Sequence, residues 1–431
     1  MPIGVIVLIA LGVVLVMNAS RGRAERRVVS DYVQAWAKED YPAMYKLLDP
    51  ASRQGMGEAK FAAGYRQAAS TATLAGLTVQ RVGHRRGGYI PVQMLVRTTL
   101  WGTLHETLEV PITGSGSSAT VHFTRTLVFP GLRAGERLSR HMSMPPRATL
   151  FAADGTPLAQ GPDRSSPIPE VANEIAGVLG PIPSTQAAMY AAEGYPAHTM
   201  VGIDGLERAF QTQLAGKPGG VLLAGKRALA RSTPAPGHDV TTTIQPSLEV
   251  AAIDALGDRY GGIAAMDPRT GALLALAGIA FSAPQPPGST MKIITSTAAL
   301  QAGIVTLDTT FPISTAATLD GYTLHNASDE ACGGTLLNAF AVSCNSVFAP
   351  LGAKLGGTRL VAMAQRFGFD QPPAVPGEAE SEIPSASTIG DDLAVGSSAI
   401  GQGRVQATVL EMTDVAATIA MGGRRPLPTL Q

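Results

Sequence analysis

Four residues of this chain stand at spacings that could do chemistry. Ser289-Thr290-Met291-Lys292 sets a hydroxyl and an amine three positions apart, the separation that puts two side chains on one face of a helix. A serine in the first turn of such a helix holds its hydroxyl near free backbone amides, where developing negative charge is favoured. A lysine one turn on can touch that hydroxyl, and burial lowers its pKa until it can accept the proton. Met291, Ile293 and Ile294 supply dry surroundings, and Pro287-Gly288 gives a sharp approach to the helix. Further along, Ser343-Cys344-Asn345 offers a hydroxyl and an amide two positions apart. In a tight loop both can face one cleft, the serine relaying a proton and the amide holding Lys292 and a substrate carbonyl. Each motif has an ordinary reading: Ser-x-x-Lys is short enough to arise by chance, and Ser343 to Asn345 alone reads as a helix-capping turn. Together, their order and spacing favour a site.

These residues need a scaffold. From Val240 the pattern is that of a larger α/β domain: a helix over 248–256, with Leu248, Ala251, Ala252 and Ala255 on one face, then buried strands over 262–266 and 272–277. Asp267-Pro268-Arg269-Thr270-Gly271 joins the strands as a hairpin. A Pro/Gly loop over 284–288 leads into a helix over 289–301, and further helices are predicted over 336–341, 346–355, 358–367 and 408–420. Upstream, residues 25–130 read as a separate α+β module. Val28, Val29, Tyr32, Val33 and Trp36 fall at helical spacing, as do Tyr41, Met44, Tyr45 and Leu48, and Phe61 and Tyr65 suggest a third helix. The period then becomes two: Val92, Met94, Val96, Thr98 and Leu100; Leu104, Leu108 and Val110; Val121, Phe123, Leu127 and Phe129. Helices followed by a curved antiparallel sheet is the inference. His84, His105 and His122 in this module are surface or packing residues on this reading. Residues 131–240, punctuated by Pro145-Pro146, Gly155, Pro157, Gly161, Pro181, Pro183 and Pro196, predict short strands and linkers.

The bulk numbers narrow the function classes. A chain of 431 residues is too long for one ordinary domain. Its net charge is zero and only 5% of its residues are aromatic, so neither a basic field nor stacking platforms for nucleic acid are indicated. Only Cys332 and Cys344 occur, without Cys-x-x-Cys or a His/Cys cluster, so no structural metal and no cofactor is expected. Twelve positions apart, the two could pair in an oxidising compartment or remain buried thiols, and spacing does not decide. Residues 3–17 are apolar without a charge and are followed by Arg21, Arg23, Arg26 and Arg27. An uncleaved anchor over 1–20 is favoured over a signal peptide, because no basic leader precedes the run and Met17-Asn18-Ala19 is a poor cleavage site. Gly220-x4-Gly225-Lys226 imitates a phosphate loop, but Arg227 replaces the hydroxyl residue that would hold Mg²⁺.

Pro287-Gly288-Ser289-Thr290-Met291-Lys292 followed by Ser343-Cys344-Asn345 resembles the penicillin-binding proteins, and specifically the class B transpeptidases. Gly205-Leu206-Glu207 with Leu214-Ala215-Gly216 looks like the stretch before the catalytic domain of that class. Residues 239–245 and 265–278 look like its lead-in helix and first hairpin, and Phe367-Gly368-Phe369 and Ala399-Ile400-Gly401-Gln402-Gly403 like later landmarks. Residues 32–130 resemble the NTF2-like domain of the subgroup that includes low-affinity, resistance-associated transpeptidases. The resemblance implies a multidomain α+β architecture: an anchor over 1–20, an NTF2-like cone-shaped domain over 25–135, a linker and dimerisation-like region over 136–238, and a β-lactamase-like α/β serine-transpeptidase domain over 239–431.

By the same resemblance Ser289 would be the acylated nucleophile, Lys292 its general base, and Ser343 and Asn345 the proton relay and substrate contact. The reaction would pass a D-alanyl-D-alanine stem peptide to a neighbouring stem amine, cross-linking peptidoglycan, and β-lactams would trap Ser289. The implied setting is a single-pass cell-membrane protein with its catalytic domain outside the cytoplasm, working beside other cell-wall synthesis proteins. The family's third motif, Lys-Thr/Ser-Gly, has no counterpart, since the last lysine is Lys354, which leads us to expect a C-terminally incomplete domain lacking its last strands. Two other functions share some of these features: a β-lactam sensor or class D-like β-lactamase, and a non-enzymatic cell-wall scaffold.

Overall fold

The computed structural model describes residues 22–431, so the anchor expected over 1–20 lies outside the described residues. Among those described, no helix is long and apolar enough to cross a membrane. The chain forms two compact units that do not follow chain order. The first contains the N-terminal module with 181–199 and 216–236; the second contains 146–180, 200–215 and 237–431. Residues 136–238 thus contribute to both.

The first unit opens with a helix over 22–37. The short helices Tyr41–Lys46 and Pro50–Gly55 follow, each started by an aspartate whose carboxylate accepts a backbone N–H (Asp40 from Ala43, Asp49 from Ser52). The longer helix Glu58–Ala72 ends at Thr73, whose φ of +48° stops it. Four strands, Leu74–Val82, Tyr89–Thr98, Gly102–Thr113 and Thr120–Val121, then pair antiparallel in chain order. Along Tyr89–Thr98 the buried side is Ile90, Val92, Met94 and Val96, the two-residue period of a sheet with one covered face. Tyr32, Trp36, Phe61 and Tyr65 join that core, and the Tyr32 and Tyr65 hydroxyls hydrogen-bond at 2.6 Å. His122 meets Asp49 at 2.8 Å and His84 meets Arg26 at 2.9 Å, both structural contacts.

Two expectations for this unit need correction. The alternation Val121, Phe123, Leu127, Phe129 is not one strand: pairing stops at Val121 and a 3-10 turn spans Arg125–Val128. Leu127 and Phe129 are buried all the same, because a tight turn can bury both ends of a two-residue step. The strand Leu74–Val82 was not anticipated, since Leu77 is its one buried residue and its period is weak. The imitation phosphate loop is a hairpin, with Gly219–Ala224 paired to Arg227–Ser232 around Gly225 at φ +58°, and no helix follows it.

In the second unit the helix Pro246–Leu256 starts at a proline, whose missing N–H costs nothing there. It packs on the antiparallel hairpin Gly262–Met266 and Leu273–Gly278. The lead-in helix expected over 239–245 is absent. Val240–Thr241 is instead a two-residue strand parallel to Leu150–Phe151, its extended backbone suiting the β-branched run Val240 to Thr243. The predicted 289–301 helix begins as a 3-10 turn, Gly288–Met291, and becomes α-helical over Lys292–Gln301. Leu336–Ala341, Asn345–Leu355, Gly357–Phe367 and Val409–Ala420 fall within one residue of their predicted bounds. Met291, Ile294 and Ala298 pack with Leu360, Ala364 and Phe367 in the core beneath the Ser289 turn.

Candidate active site

The loop before Ser289 is held by a close backbone approach. Gly288, at φ +58°, donates its N–H to Gly401 O at 2.9 Å. Gly401 stands at φ +73°, and a Cβ there would lie 2.0 Å from Gly288 O, so only glycine permits this approach. One turn on, Thr295 Oγ1 donates to Ala399 O at 2.7 Å and ties the helix to the same segment. Ser289 is exposed at the start of the turn, while Lys292 is 2% exposed among the side chains beneath it.

The second motif arrives on the junction between Leu336–Ala341 and Asn345–Leu355. Ser343 sits at φ +57°, a left-handed conformation that costs a non-glycine residue roughly 1–3 kcal/mol. This turn brings both its carbonyl and its hydroxyl to the lysine. Cys344, fully buried, is bonded to Cys332 on the strand Cys332–Thr335, with the two Cα atoms 5.8 Å apart. Spacing left that pairing open; the structure closes it, and it pins the junction through the residue between Ser343 and Asn345.

All four anticipated residues meet at one atom. Lys292 Nζ lies 3.1 Å from Ser289 Oγ and 3.0 Å from Ser343 Oγ, and 2.7 Å from both Ser343 O and Asn345 Oδ1. The last two are obligate acceptors, so they account for two N–H bonds. A neutral amine has only two protons; its remaining lone pair then faces the two hydroxyls. Burial pulls the Lys292 pKa down to about 8, which brings that neutral form within reach near physiological pH. Asn345 Nδ2 donates to His325 O at 3.0 Å, which aims Oδ1 at the lysine and leaves one N–H uncommitted. Asn326 supports the same junction, accepting from Ser346 N at 2.8 Å and donating to Ser314 O and Glu330 O.

Sequence reading missed His325, Asn326, Thr295 and Gly401 as supports of the site. His325 acts through its carbonyl, and Asn326 and Thr295 through side-chain bonds that include backbone groups distant in sequence, so none of the three leaves a pattern. Gly401 stood in a recognised landmark, but its contact partner could not be read from the chain. Among the described residues no group of three or more His, Cys, Asp or Glu could hold a metal ion.

Three family models match in succession: the NTF2-like N-terminal transpeptidase domain over 24–136, the penicillin-binding protein dimerisation domain over 142–242, and the penicillin binding protein transpeptidase domain over 261–431. Peptidoglycan D,D-transpeptidase PbpA of Mycolicibacterium smegmatis is 37% identical over 246 residues, 45% of this chain and 48% of that protein. Peptidoglycan D,D-transpeptidase MrdA of Acinetobacter baumannii is 25% identical over 352 residues, 70% of this chain and 48% of that protein. The chain therefore spans about half the length of the curated relatives it matches. Among solved structures, Pseudomonas aeruginosa PBP2 in complex with WCK 5153 superposes with a TM-score of 0.58 at 25% identity, over 68% of this chain and 72% of that one. The penicillin G acyl-enzyme complex of penicillin-binding protein A from M. tuberculosis gives 0.51 at 27% identity, over 66% and 73%. With the Ser289 and Ser343 motifs converging on one buried lysine and the three models following one another along its length, the chain belongs to the penicillin-binding transpeptidases, in the branch carrying an NTF2-like N-terminal domain.

Proposed function

We propose that this chain is a serine D,D-transpeptidase of peptidoglycan synthesis, with Ser289 as nucleophile and Lys292 as general base. The observation that carries the reading is the set of four oxygens within 3.1 Å of one buried amine. Neutral Lys292 takes the Ser289 proton as Oγ bonds to the carbonyl carbon of the penultimate D-alanine. Collapse of the tetrahedral intermediate breaks the C–N bond to the terminal D-alanine, and the proton passes from Lys292 through Ser343 Oγ to the departing nitrogen. A neighbouring stem amine then attacks the ester carbonyl, loses its proton along the same path, and frees Ser289 as the cross-link forms. Asn345, with one amide N–H uncommitted, orients the acyl donor. β-Lactams enter by the same first step and remain on Ser289. The domain limits 25–135, 136–238 and 239–431, a membrane anchor over 1–20, an extracytoplasmic catalytic domain and collaboration with cell-wall synthesis proteins belong to the same proposal.

The test is covalent labelling by a fluorescent penicillin. The folded chain should acquire one label, Ser289→Ala should acquire none, and the label should persist for many minutes. Rapid release would move the reading to a β-lactamase, and a folded chain that takes no label would leave a scaffold.

A further inference from the structure

We propose that the NTF2-like unit carries a second binding site, for a monomeric anionic amphiphile, in a recess beside the helix Glu58–Ala72. The inner side of that helix is closed, filled by Tyr32, Trp36 and Tyr65. The recess lies elsewhere, with a volume of about 600 Å³, inside the roughly 300–1,000 Å³ range of small-ligand sites. It is independent of the chemistry at Ser289.

Its lining has two characters. The apolar part comes from the partly exposed Phe123, Val128 and Leu132, with Phe123 packed edge to face at 5.3 Å on the fully buried Phe61. The helix contributes small residues here, Ala63 and Gly64, which leaves the space open. The polar part is cationic. Lys60 comes from the helix, Arg125 from the 3-10 turn and Arg137 from the segment leading to the strand Leu138–Ser143. All three are exposed, and among the described residues none has an ion-pair or side-chain hydrogen-bond partner. The one acid on the wall, Glu136, is already engaged: Arg227 Nη2 donates to it at 2.8 Å and Arg133 N at 2.8 Å. Three positive charges from three separate elements, none with a partner among the described residues, thus line one recess that also has an apolar part. Like charges gather at a cost unless an anion relieves it, and the aromatic floor adds the reward of burying an apolar body. The ligand that answers both is a single acidic headgroup, carboxylate, sulfonate or phosphate, joined to an apolar body.

The probes are 1-anilinonaphthalene-8-sulfonate and its uncharged counterpart N-phenyl-1-naphthylamine, added to the full chain, with tetradecanoate below its micelle concentration as competitor. The expected result is saturable, one-to-one sulfonate binding that tetradecanoate displaces. The pair Lys60→Glu and Arg137→Glu should weaken sulfonate binding at least tenfold and shift the neutral probe less than threefold. Ala63→Trp should weaken both probes. Melting temperature and penicillin labelling, unchanged in every variant, show that the fold survives, and the milder pair Lys60→Gln and Arg137→Gln replaces the reversal should it not. Three results overturn the proposal: non-saturable binding, sulfonate affinity indifferent to the charge changes, or complete displacement by millimolar inorganic phosphate, which would make this a bare anion site.

Discussion

Two ionisable side chains in the second unit are equally buried and entirely different in company. Lys292, 2% exposed, is surrounded by four neutral oxygens. Glu207, 0% exposed, is gripped by two guanidiniums: Arg147 Nη2 at 2.6 Å and Arg164 Nη2 at 2.5 Å. Both satisfy the rule that a buried charge must be partnered. A neutral shell, however, supplies no opposite net charge, so the cost of burial prevails and the amine is drawn toward its uncharged form. A shell of opposite charge holds the carboxylate by two ion pairs. A buried amine with no counter-charge is a candidate for chemistry, and a carboxylate clamped by two guanidiniums is a rivet.

The sharpest way to break this contrast is at the lysine. On the proposed mechanism Lys292→Met removes the general base, and acylation by a fluorescent penicillin should slow about 10²–10⁴-fold, while circular dichroism reports an intact fold. The wild-type rate should itself depend on pH. The base works when deprotonated and its pKa lies at about 8, so acylation should climb close to tenfold per unit between pH 6 and 7, then level off above about pH 8. A flat profile from pH 6 to 9 would remove Lys292 from that role. At the other pole, Glu207→Gln leaves two buried guanidiniums facing one another. The expected loss is about 3–5 kcal/mol of stability in urea unfolding, with the acylation rate of the molecules that remain folded altered less than threefold. A slowed acylation there would mean the rivet reaches the site.

Much of this was legible in the chain, for physical reasons that differ by residue. Ser289 and Lys292 are three positions apart, and helix geometry alone makes them neighbours. Ser343 and Asn345 were readable because the turn that carries them lies between two strongly patterned helices. What was not readable came from contacts with no local period. Gly401 matters because its missing Cβ lets Gly288 approach, and His325 because its carbonyl catches an amide twenty positions away. The same limit explains the misread 121–129 segment, where alternate burial is produced by a turn. The expected helix over 239–245 failed for a related reason: its backbone hydrogen bonds go to Thr149 and Phe151, far away in sequence.

The disulfide sharpens the comparison at smaller scale, because it belongs to the lysine's shell without touching the lysine. Replacing both Cys332 and Cys344 by alanine should cost about 3 kcal/mol in unfolding free energy, from a short closed loop. Ser343, held at φ +57°, would then be free to relax, and the proposed relay predicts acylation slowed several-fold. Reductant should reproduce both effects in the wild type and neither in the double variant. Stability lost with no change in acylation would make the bond a staple only.

Between the two poles lies a third cluster, where carboxyls outnumber cations. Arg425 Nε meets Asp414 Oδ2 at 2.5 Å, while its Nη2 is 3.6 Å from Glu411 Oε2. One guanidinium serves both acids, closely at Asp414 and at longer range at Glu411. Burial pushes Glu411 up to about 8 and Glu378, close by, to about 7. Both folded values lie above the unfolded carboxyl range near 4.5, so the folded chain binds protons that the unfolded chain has released. The resulting stability is complete below that unfolded value and is lost as pH rises through 7 and 8. Lys292 has the opposite slope, but only above its own value of about 8. Melting temperature should therefore fall by a few degrees from pH 5 to 8. Glu411→Gln, which carries its proton permanently, should flatten the upper part of that fall and leave the part due to Glu378 and to Glu249, which burial also raises to about 7. An unchanged slope in that variant would show that Glu411 is ionised in the fold, and that Arg425 answers both acids as the two arginines answer Glu207.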